Sequence, residues 1–107
     1  MEQNIFITKL MDVHIANKSN DLKKAEGIFI VMEFVAHDIR TMLDKIKSDC
    51  LSEEHVKIIM YNLLCAVNFM HSAGLMHRDI KPCNLLIDDE CSVKLCDFGQ
   101  SRPYFEK

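Results

Sequence analysis

Hydrophobic and polar positions divide the chain into strand-like and helix-like segments. Apolar residues are dense and partly alternating from Ile5 to Val13, and a β-branched and aromatic run follows at Ile28 to Met32. Both patterns favour β-strands. A polar stretch at 17–24 separates them and is typical of an exposed loop, with Gly27 at its end. We therefore expect two strands that pair antiparallel.

Helical periodicity follows the second strand. Apolar residues at helical spacing predict a short helix from His37 to Lys47. A longer helix is predicted from Glu53 to Ala73, with Ser52 as its N-cap and Gly74 at its C-terminal end. Its predicted buried face contains Val56, Ile59, Met60, Leu63, Leu64, Val67 and Met70.

The remainder of the chain combines irregular stretches with one predicted hairpin. Residues 76–84 are not periodic, and Pro82 is incompatible with a helix interior. Two short strands, Leu85–Ile87 and Val93–Leu95, are joined by a turn-like acidic segment at 88–90. Residues 97–107 show no period.

Composition and charge exclude several classes of protein. The 107 residues are 49% hydrophobic and 27% charged, which is typical of globular proteins. The formal charge of −3 gives no basic excess for binding nucleic acid or an anionic membrane. Five cysteines without a C-x-x-C pair argue against a disulfide scaffold and a zinc site. Neither a membrane span nor a signal peptide is evident, so we expect a cytoplasmic or nuclear protein.

Polar residues with catalytic potential are concentrated in two loops. One runs from His77 to Asn84 after the long helix, and the other, Asp97-Phe98-Gly99, follows the hairpin. Because a short hairpin brings its two ends together, we expect the polar side chains of both loops to converge. Phosphoryl transfer needs such a set, namely a base, oxygen ligands for Mg²⁺ and a cation. The converging residues are Asp79, Lys81, Asn84 and Asp97.

The two loops resemble motifs of protein kinases. Residues 77–84 match the catalytic loop H-R-D-x-x-x-x-N, and residues 97–99 match D-F-G, in the same order. The resemblance covers essentially the whole chain and implies an α+β, protein-kinase-like fold that is partial. Residues 1–32 would be small-lobe strands, 33–37 the hinge, and 38–107 the large lobe from its start to just past D-F-G.

Further motifs narrow the resemblance to one group of kinases. Lys81, two residues after Asp79, follows the pattern of serine/threonine kinases. Within these, the chain is most similar to mitogen-activated protein kinases, and cyclin-dependent kinases are close relatives that stay open as an alternative. The similar segments are Leu10-Met11-Asp12-Val13, Val31-Met32-Glu33, His71-Ser72-Ala73-Gly74 and Leu95-Cys96-Asp97-Phe98-Gly99.

The resemblance implies roles for the four converging residues. Asp79 would orient the hydroxyl of a substrate serine or threonine and accept its proton. Lys81 would contact the γ-phosphate of ATP. Asn84 and Asp97 would hold Mg²⁺.

The resemblance also implies an adenosine pocket. The carbonyl of Glu33 and the backbone of Val35 would bond the adenine, beside Met32 as the gatekeeper. Asp38 would lie near the ribose, and Leu86 would form the floor of the pocket.

Regulatory positions follow from the same resemblance. His77 and Phe98 would belong to an apolar stack that links the lobes, and Arg78 would bind an activation-loop phosphate. Cys96 would lie at the nucleotide pocket. Cys91 would lie in a groove that docks peptides of partner proteins.

Several kinase motifs are missing from the 107 residues. The three glycines do not form a G-x-G-x-x-G loop, and the chain has no V-A-I-K lysine, T-x-Y phosphosite or A-P-E motif. Gln100 replaces the apolar residue usual after D-F-G. We expect less than half of a catalytic domain, with weak ATP binding and negligible turnover alone. A short non-catalytic interaction module is the alternative, although it has no chemical need for the four converging residues together.

Overall fold

The computed structural model describes residues 4–16, 26–46 and 50–104. Two helices and seven strands form within these ranges, together with 3₁₀ turns at Pro82–Asn84 and Phe98–Gln100. In chain order the elements are β1 (Leu10–Ala16), β2 (Gly27–Met32), β3 (His37–Asp38), α1 (Ile39–Lys45), α2 (Glu53–Ser72), β4 (Leu75–Met76), β5 (Leu85–Ile87), β6 (Val93–Leu95) and β7 (Arg102–Pro103).

Strands β1 and β2 form the predicted antiparallel pair. Val13 lies opposite Ile30 and Ile15 opposite Ile28. The pairing is confirmed, but β1 begins at Leu10 rather than at the predicted Ile5. The predicted polar loop at residues 17–24 lies outside the described residues.

The segment before β1 pairs with a distant strand. Ile7 forms a parallel bridge with Leu95, whose N–H donates to the carbonyl of Phe6 at 2.9 Å. The N–H of Thr8 donates to the carbonyl of Leu95 at 3.0 Å. The prediction of one continuous strand from Ile5 was therefore wrong, because this segment bonds to β6 instead of β2. The same bonds connect the β1–β2 pair to the rest of the molecule.

A three-stranded sheet of order β3-β5-β6 lies at the centre. Leu85 pairs with Leu95 and Ile87 with Val93, and all four side chains are buried. The predicted strands of this hairpin are confirmed residue for residue. At its turn, Oδ1 of Asp88 accepts hydrogen bonds from two backbone N–H groups, which stabilises the reversal of the chain.

Helix α1 is shorter than predicted at its start. His37 and Asp38 pair with β5 as strand β3, so the helix begins only at Ile39. The carboxylate of Asp38 then caps the helix, since its Oδ1 accepts from the N–H of Thr41 at 2.8 Å. The predicted last residue, Lys47, lies outside the described residues.

Helix α2 has the predicted start and ends one residue early. Ser52 Oγ accepts from the N–H of His55 at 3.3 Å, and His55 Nδ1 accepts from the N–H of Ser52 at 3.2 Å. This reciprocal capping satisfies two N-terminal N–H groups. Gly74 follows the helix with φ of 70°, a left-handed conformation that favours glycine.

Only part of the predicted apolar face of α2 is buried. Ile59 and Met70 join Ala66 in the core, whereas Leu64 is 62% exposed and Met60 47% exposed. The core that α2 covers consists of apolar side chains from α1, α2 and the hairpin. These are Ile39, Ile59, Ala66, Met70, Leu85, Ile87, Val93 and Leu95.

The last described segment is tied to the end of α2. Strand β7 pairs antiparallel with β4, and the N–H of Tyr104 donates to the carbonyl of Gly74 at 2.9 Å. Neither two-residue strand was predicted, because such short strands leave no periodic pattern. Within the part of the chain that the structure describes, no helix is long and apolar enough to cross a membrane.

Candidate active site

The loop between β4 and β5 holds three of the four residues that were predicted to converge. Lys81 precedes the 3₁₀ turn Pro82–Asn84, and its carbonyl accepts from the N–H of Asn84 at 2.9 Å. The turn folds Asn84 back towards the start of the loop. Asn84 is thereby buried, with 6% of its surface exposed.

The Asp79 carboxylate is the centre of this loop. Its Oδ2 accepts from Nζ of Lys81 at 2.8 Å and from Nδ2 of Asn84 at 3.0 Å. Nδ2 of Asn84 also donates to the backbone carbonyl of Asp79 at 2.9 Å. The structure therefore brings Asp79, Lys81 and Asn84 together and fixes the carboxylate from two sides.

The ion pair favours the charged form of both partners. The hydrogen bond from Lys81 lowers the pKa of Asp79 below its ordinary 3.8, although partial burial opposes this. The same hydrogen bond raises the pKa of Lys81 above its ordinary 10.5. The site thus offers an ionised carboxylate that can orient a hydroxyl group, beside a cation that can stabilise developing negative charge.

Asp97 leaves the central hairpin next to this loop. The hairpin pairing continues beyond its strands, because the N–H of Cys96 donates to the carbonyl of Asn84 at 2.9 Å. Cys96 therefore lies opposite Asn84, and Asp97 is the next residue in the chain. Its negative charge also helps to raise the pKa of Lys81. All four predicted residues consequently share one end of the hairpin.

The backbone of Asp97 has an unusual conformation. Its φ of 60° and ψ of 76° are left-handed, and its Oδ1 accepts from the N–H of Gly99 at 3.2 Å. A Cβ atom at position 99 would lie 3.2 Å from the same oxygen, a close approach that favours glycine there. The left-handed residue and its bond to Gly99 thus form a tight turn at the D-F-G segment, directly after the hairpin.

The oxygen atoms at this site suit magnesium that is shared with a substrate. Asn84 uses its Nδ2 on Asp79, whereas its Oδ1 accepts only a long contact from Sγ of Cys83 at 3.8 Å, which a metal ion could displace. Within the described ranges, no group of three or more His, Cys, Asp or Glu side chains could hold a metal. Mg²⁺ commonly binds one or two carboxylates and completes its coordination with phosphates and water. The donor set fits that mode and does not fit an all-protein metal cage.

His77 has a structural position. It is buried, its Nδ1 accepts from the N–H of Asp79 at 3.2 Å, and its Nε2 lies 2.9 Å from the carbonyl of Cys96. Because Nδ1 accepts, Nε2 carries the proton and donates. The ring also meets Phe98 edge-on, at a centroid distance of 5.5 Å. His77 therefore bonds both site loops, which accounts for its burial without a role in proton transfer.

Arg78 connects the catalytic loop to the chain after D-F-G. Its φ is 67°, and its Nε donates to the carbonyl of Gln100 at 2.8 Å. Ser101 Oγ donates to the carbonyl of His77 at 3.4 Å. These bonds hold the two segments together. The phosphate-binding role expected for Arg78 stays a prediction.

The residues expected around adenosine lie on β2, β3 and β5 and in the stretch between β2 and β3. Met32, at the end of β2, lines a cavity of about 600 Å³ together with Asp97 and Phe98. Val35 is half-buried in the extended stretch between β2 and β3. Leu86 lies opposite Asp38 in the central sheet.

The Asp38 carboxylate is already engaged. Its Oδ1 bonds the N–H of Thr41, and its Oδ2 accepts from the hydroxyl of Thr41 at 2.7 Å. These bonds lower the pKa of Asp38. A ribose hydroxyl would share this carboxylate with the helix cap.

Cys96 and Cys91 lie at opposite ends of strand β6. Burial, and next the charge of Asp97, raise the pKa of the Cys96 thiol above its ordinary 9.0. Cys91 has φ of 61° at the hairpin turn, and its N–H donates to the carbonyl of Asp88 at 3.1 Å. A peptide docked at Cys91 would therefore lie away from the catalytic loop.

Glu33 forms an ion pair that the sequence analysis missed. Its Oε2 lies 2.6 Å from Nζ of Lys94, and its Oε1 accepts from the N–H of Lys9 at 2.6 Å. Burial raises the pKa of Glu33, but Lys94 and the Lys9 N–H together bring it below its ordinary 4.5. One signal was available, because Lys94 is a charged residue between two buried residues of a predicted strand.

Comparison with known proteins agrees with this geometry. The family model described as "Protein kinase domain" matches residues 2–107. The chain belongs to the protein kinase domain family. Its partial α+β fold is that of a kinase domain.

Individual kinases give the same result. Serine/threonine-protein kinase ppk23 of Schizosaccharomyces pombe is 45% identical over 84 residues, which cover 78% of this chain and 21% of that protein. Mitogen-activated protein kinase 15 of Xenopus laevis is 38% identical over 100 residues, which cover 94% of this chain and 16% of that protein. Mitogen-activated protein kinase 12 of Danio rerio is 39% identical over 93 residues, which cover 87% of this chain and 24% of that protein. The chain thus matches about a fifth of the length of these relatives.

Proposed function

We propose that this chain contributes the catalytic centre of an ATP-dependent serine/threonine protein kinase of the mitogen-activated type. The observation that carries the proposal is the Asp79 carboxylate, bonded by Lys81 and Asn84 beside Asp97. The names of the similar kinases support serine or threonine as the acceptor and the mitogen-activated group as the subfamily.

The proposed reaction transfers the γ-phosphoryl group of ATP to a protein hydroxyl. Asp79 orients the hydroxyl and accepts its proton as the oxygen bonds to phosphorus. The bond between the γ-phosphorus and its bridging oxygen breaks, and ADP leaves with that electron pair. Lys81 stabilises the charge on the transferred group.

Asn84 and Asp97 are the residues proposed to hold Mg²⁺. When bound, the ion neutralises phosphate charge and aligns the phosphates. Asn84 offers its Oδ1 and Asp97 the carboxylate oxygen that Gly99 does not use. Each residue keeps its remaining polar atom for a bond within the protein, so the ligand oxygens are held in place.

We further propose that the 107-residue polypeptide has negligible turnover by itself. Its residues include neither the Gly-rich loop nor the strand lysine that position the phosphates in kinases. Positioning supplies most of the catalysis in phosphoryl transfer. Proteins with serine or threonine acceptors would be substrates, peptides would dock near Cys91, and the expected compartments remain the cytoplasm and the nucleus.

A transfer assay tests the function on a full-length protein, by which we mean a kinase chain that contains these 107 residues together with a Gly-rich loop and the strand lysine. Wild-type protein should transfer radiolabelled γ-phosphate to serine or threonine of a protein substrate only with Mg²⁺ present. Asp79→Asn should abolish transfer while keeping ATP binding, whereas Asp97→Asn should weaken Mg²⁺-dependent ATP binding. Lys57→Met, on the exposed side of α2, is the matched control and should leave both unchanged. Full transfer by Asp79→Asn would contradict the proposed role.

A further inference from the structure

Three separate parts of the chain meet at the side chain of Glu33. The first is Lys9 before β1, whose N–H donates to Glu33 Oε1 at 2.6 Å. The second is Lys94 in β6, whose Nζ lies 2.6 Å from Glu33 Oε2. The third is the stretch after β2 to which Glu33 itself belongs. The backbone N–H of Glu33 donates to the carbonyl of Lys9 at 3.0 Å. Glu33 is thus bonded through its main chain and through both carboxylate oxygens.

This ion pair differs from the others in the described residues by its burial. The side chains of Lys94 and Glu33 are 22% and 23% exposed. The ion pair of Lys57 with Glu53 on α2 has side chains that are 60% and 82% exposed. An exposed pair is screened by water and contributes little, whereas a half-buried pair with further hydrogen bonds restricts its partners more strongly.

The ion pair also connects two parts of the proposed nucleotide site. Glu33 begins the stretch whose backbone is proposed to bond adenine. Lys94 lies three residues before Asp97 on the strand that leads to the proposed magnesium ligand. The neighbouring backbone bonds of Leu95 to the segment before β1 brace the same junction. A shift of the stretch after β2 would therefore have to break the pair first.

We propose that Lys94 is a positioning residue for adenine: through Glu33 it fixes the backbone after β2 at a set distance from the Asp97 end of the hairpin. This inference rests on the proposed function, because it assumes that the nucleotide spans both places. Lys94 touches neither adenine nor phosphate in this account. Its substitution should therefore weaken the adenine-dependent part of binding and leave the phosphate-dependent part unchanged.

Binding of two probes to the purified full-length protein separates these parts. The probes are Mg²⁺–ATP and Mg²⁺–tripolyphosphate, measured by calorimetry. Lys94→Met should raise the Kd for ATP about tenfold, a usual size of coupling between sites, and change the Kd for tripolyphosphate less than about twofold. Lys94→Arg keeps the charge and should stay close to wild type. The charge-exchanged double variant Glu33→Lys with Lys94→Glu should recover part of the loss.

Hydrogen exchange reports on the ion pair independently of nucleotide. Without any ligand, the amides of residues 33–35 should exchange faster in Lys94→Met than in wild type, while those of β5 keep their protection. Lys57→Met should leave both unchanged. Loss of protection in β5 as well would show general unfolding and overturn the positioning role, as would unchanged exchange at 33–35.

The binding results distinguish the two proposals. If wild-type protein binds neither probe, the proposed kinase function fails, and the exchange experiment still decides whether Lys94 fixes the backbone. If wild type binds ATP and Lys94→Met weakens ATP and tripolyphosphate equally, or neither, the positioning inference is wrong and the kinase function stands.

Discussion

The Nζ atom of Lys81 lies 2.8 Å from Oδ2 of Asp79, so the proposed base and the proposed phosphate-binding cation are partners of each other. Asn84 shares the same carboxylate oxygen. When substrates bind, Asp79 would contact the incoming hydroxyl group and Lys81 would contact the phosphate. The ion pair therefore holds both side chains in position before substrate binds.

The ionisation of Asp79 should depend on Lys81. The carboxyl should titrate below its ordinary 3.8, because the Lys81 hydrogen bond favours the ionised form. In Lys81→Met the midpoint should rise towards that ordinary value. Carbon-13 NMR of the Asp79 carboxyl as a function of pH measures both midpoints. An identical midpoint in the two proteins would show that Lys81 does not form the pair in solution.

Acid should remove the contribution of the Glu33–Lys94 pair. The pKa of Glu33 is lower in the folded state, so its stabilisation is complete above the ordinary value of 4.5 and is lost as pH falls through the folded value. The difference in thermal midpoint between wild type and Lys94→Met should therefore shrink below about pH 4.5. Scanning calorimetry at several pH values checks this. A difference that grows in acid would have the wrong sign for this account.

Cys96 should react slowly with alkylating reagents. Burial and the Asp97 charge raise its pKa, so little thiolate is present at neutral pH. Iodoacetamide at pH 7.5 should modify the exposed Cys50 and Cys83 before Cys96, as followed by mass spectrometry of peptides. Asp97→Asn removes the nearby charge and should speed modification at Cys96. Preferential labelling of Cys96 in the wild type would contradict the raised pKa.

Leu95 should be essential for stability. Its side chain is fully buried, and its backbone bonds the segment before β1. Leu95→Ala should lower the free energy of unfolding by about 2–5 kcal/mol, because it removes buried surface and leaves a cavity. The matched control Leu95→Met nearly conserves volume and should cost less than about 1.5 kcal/mol. Urea denaturation measures both, and equal small losses would mean that this position is not packed.

The isolated 107-residue chain should self-associate. Ile28, Phe29 and Ile30 are 61%, 64% and 64% exposed, so apolar side chains are open on both faces of β2. Exposed apolar strands pair readily with other chains. Light scattering after size exclusion should show oligomers, and Phe29→Lys should reduce them. A monodisperse wild-type monomer at high concentration would contradict this prediction.

Local sequence signals accounted well for the hairpin and for α2. An acidic turn between two short, mainly apolar runs predicts strands β5 and β6, and a serine cap with a periodic apolar face predicts the long helix. Both signals act between near neighbours, so no distant contact is needed to interpret them. The hairpin likewise predicted that the two polar loops would lie together, and the N–H of Cys96 donates to the carbonyl of Asn84 at the point where they meet.

Contacts between distant residues were not accessible in the same way. The segment around Ile7 has a strand-like pattern, but the pattern does not say that its partner is Leu95 rather than β2. Strands β4 and β7 are two residues long, and their pairing is continued by the bond from the N–H of Tyr104 to the carbonyl of Gly74 after α2. The ion pair between Glu33 and Lys94 likewise joins residues that are 61 positions apart in the sequence.

Binding of a paramagnetic nucleotide complex tests the central claim most directly. Mn²⁺ can replace Mg²⁺ at oxygen ligands and broadens the NMR signals of nearby nuclei. With Mn²⁺–ATP and the nitrogen-15-labelled full-length protein, the side-chain amide of Asn84 and the backbone amide of Asp97 should broaden together, at substoichiometric metal. The amides of residues 53–57 at the start of α2 should stay sharp. Broadening of only one of the two signals, or of neither, would contradict a shared metal–nucleotide site at the end of the hairpin.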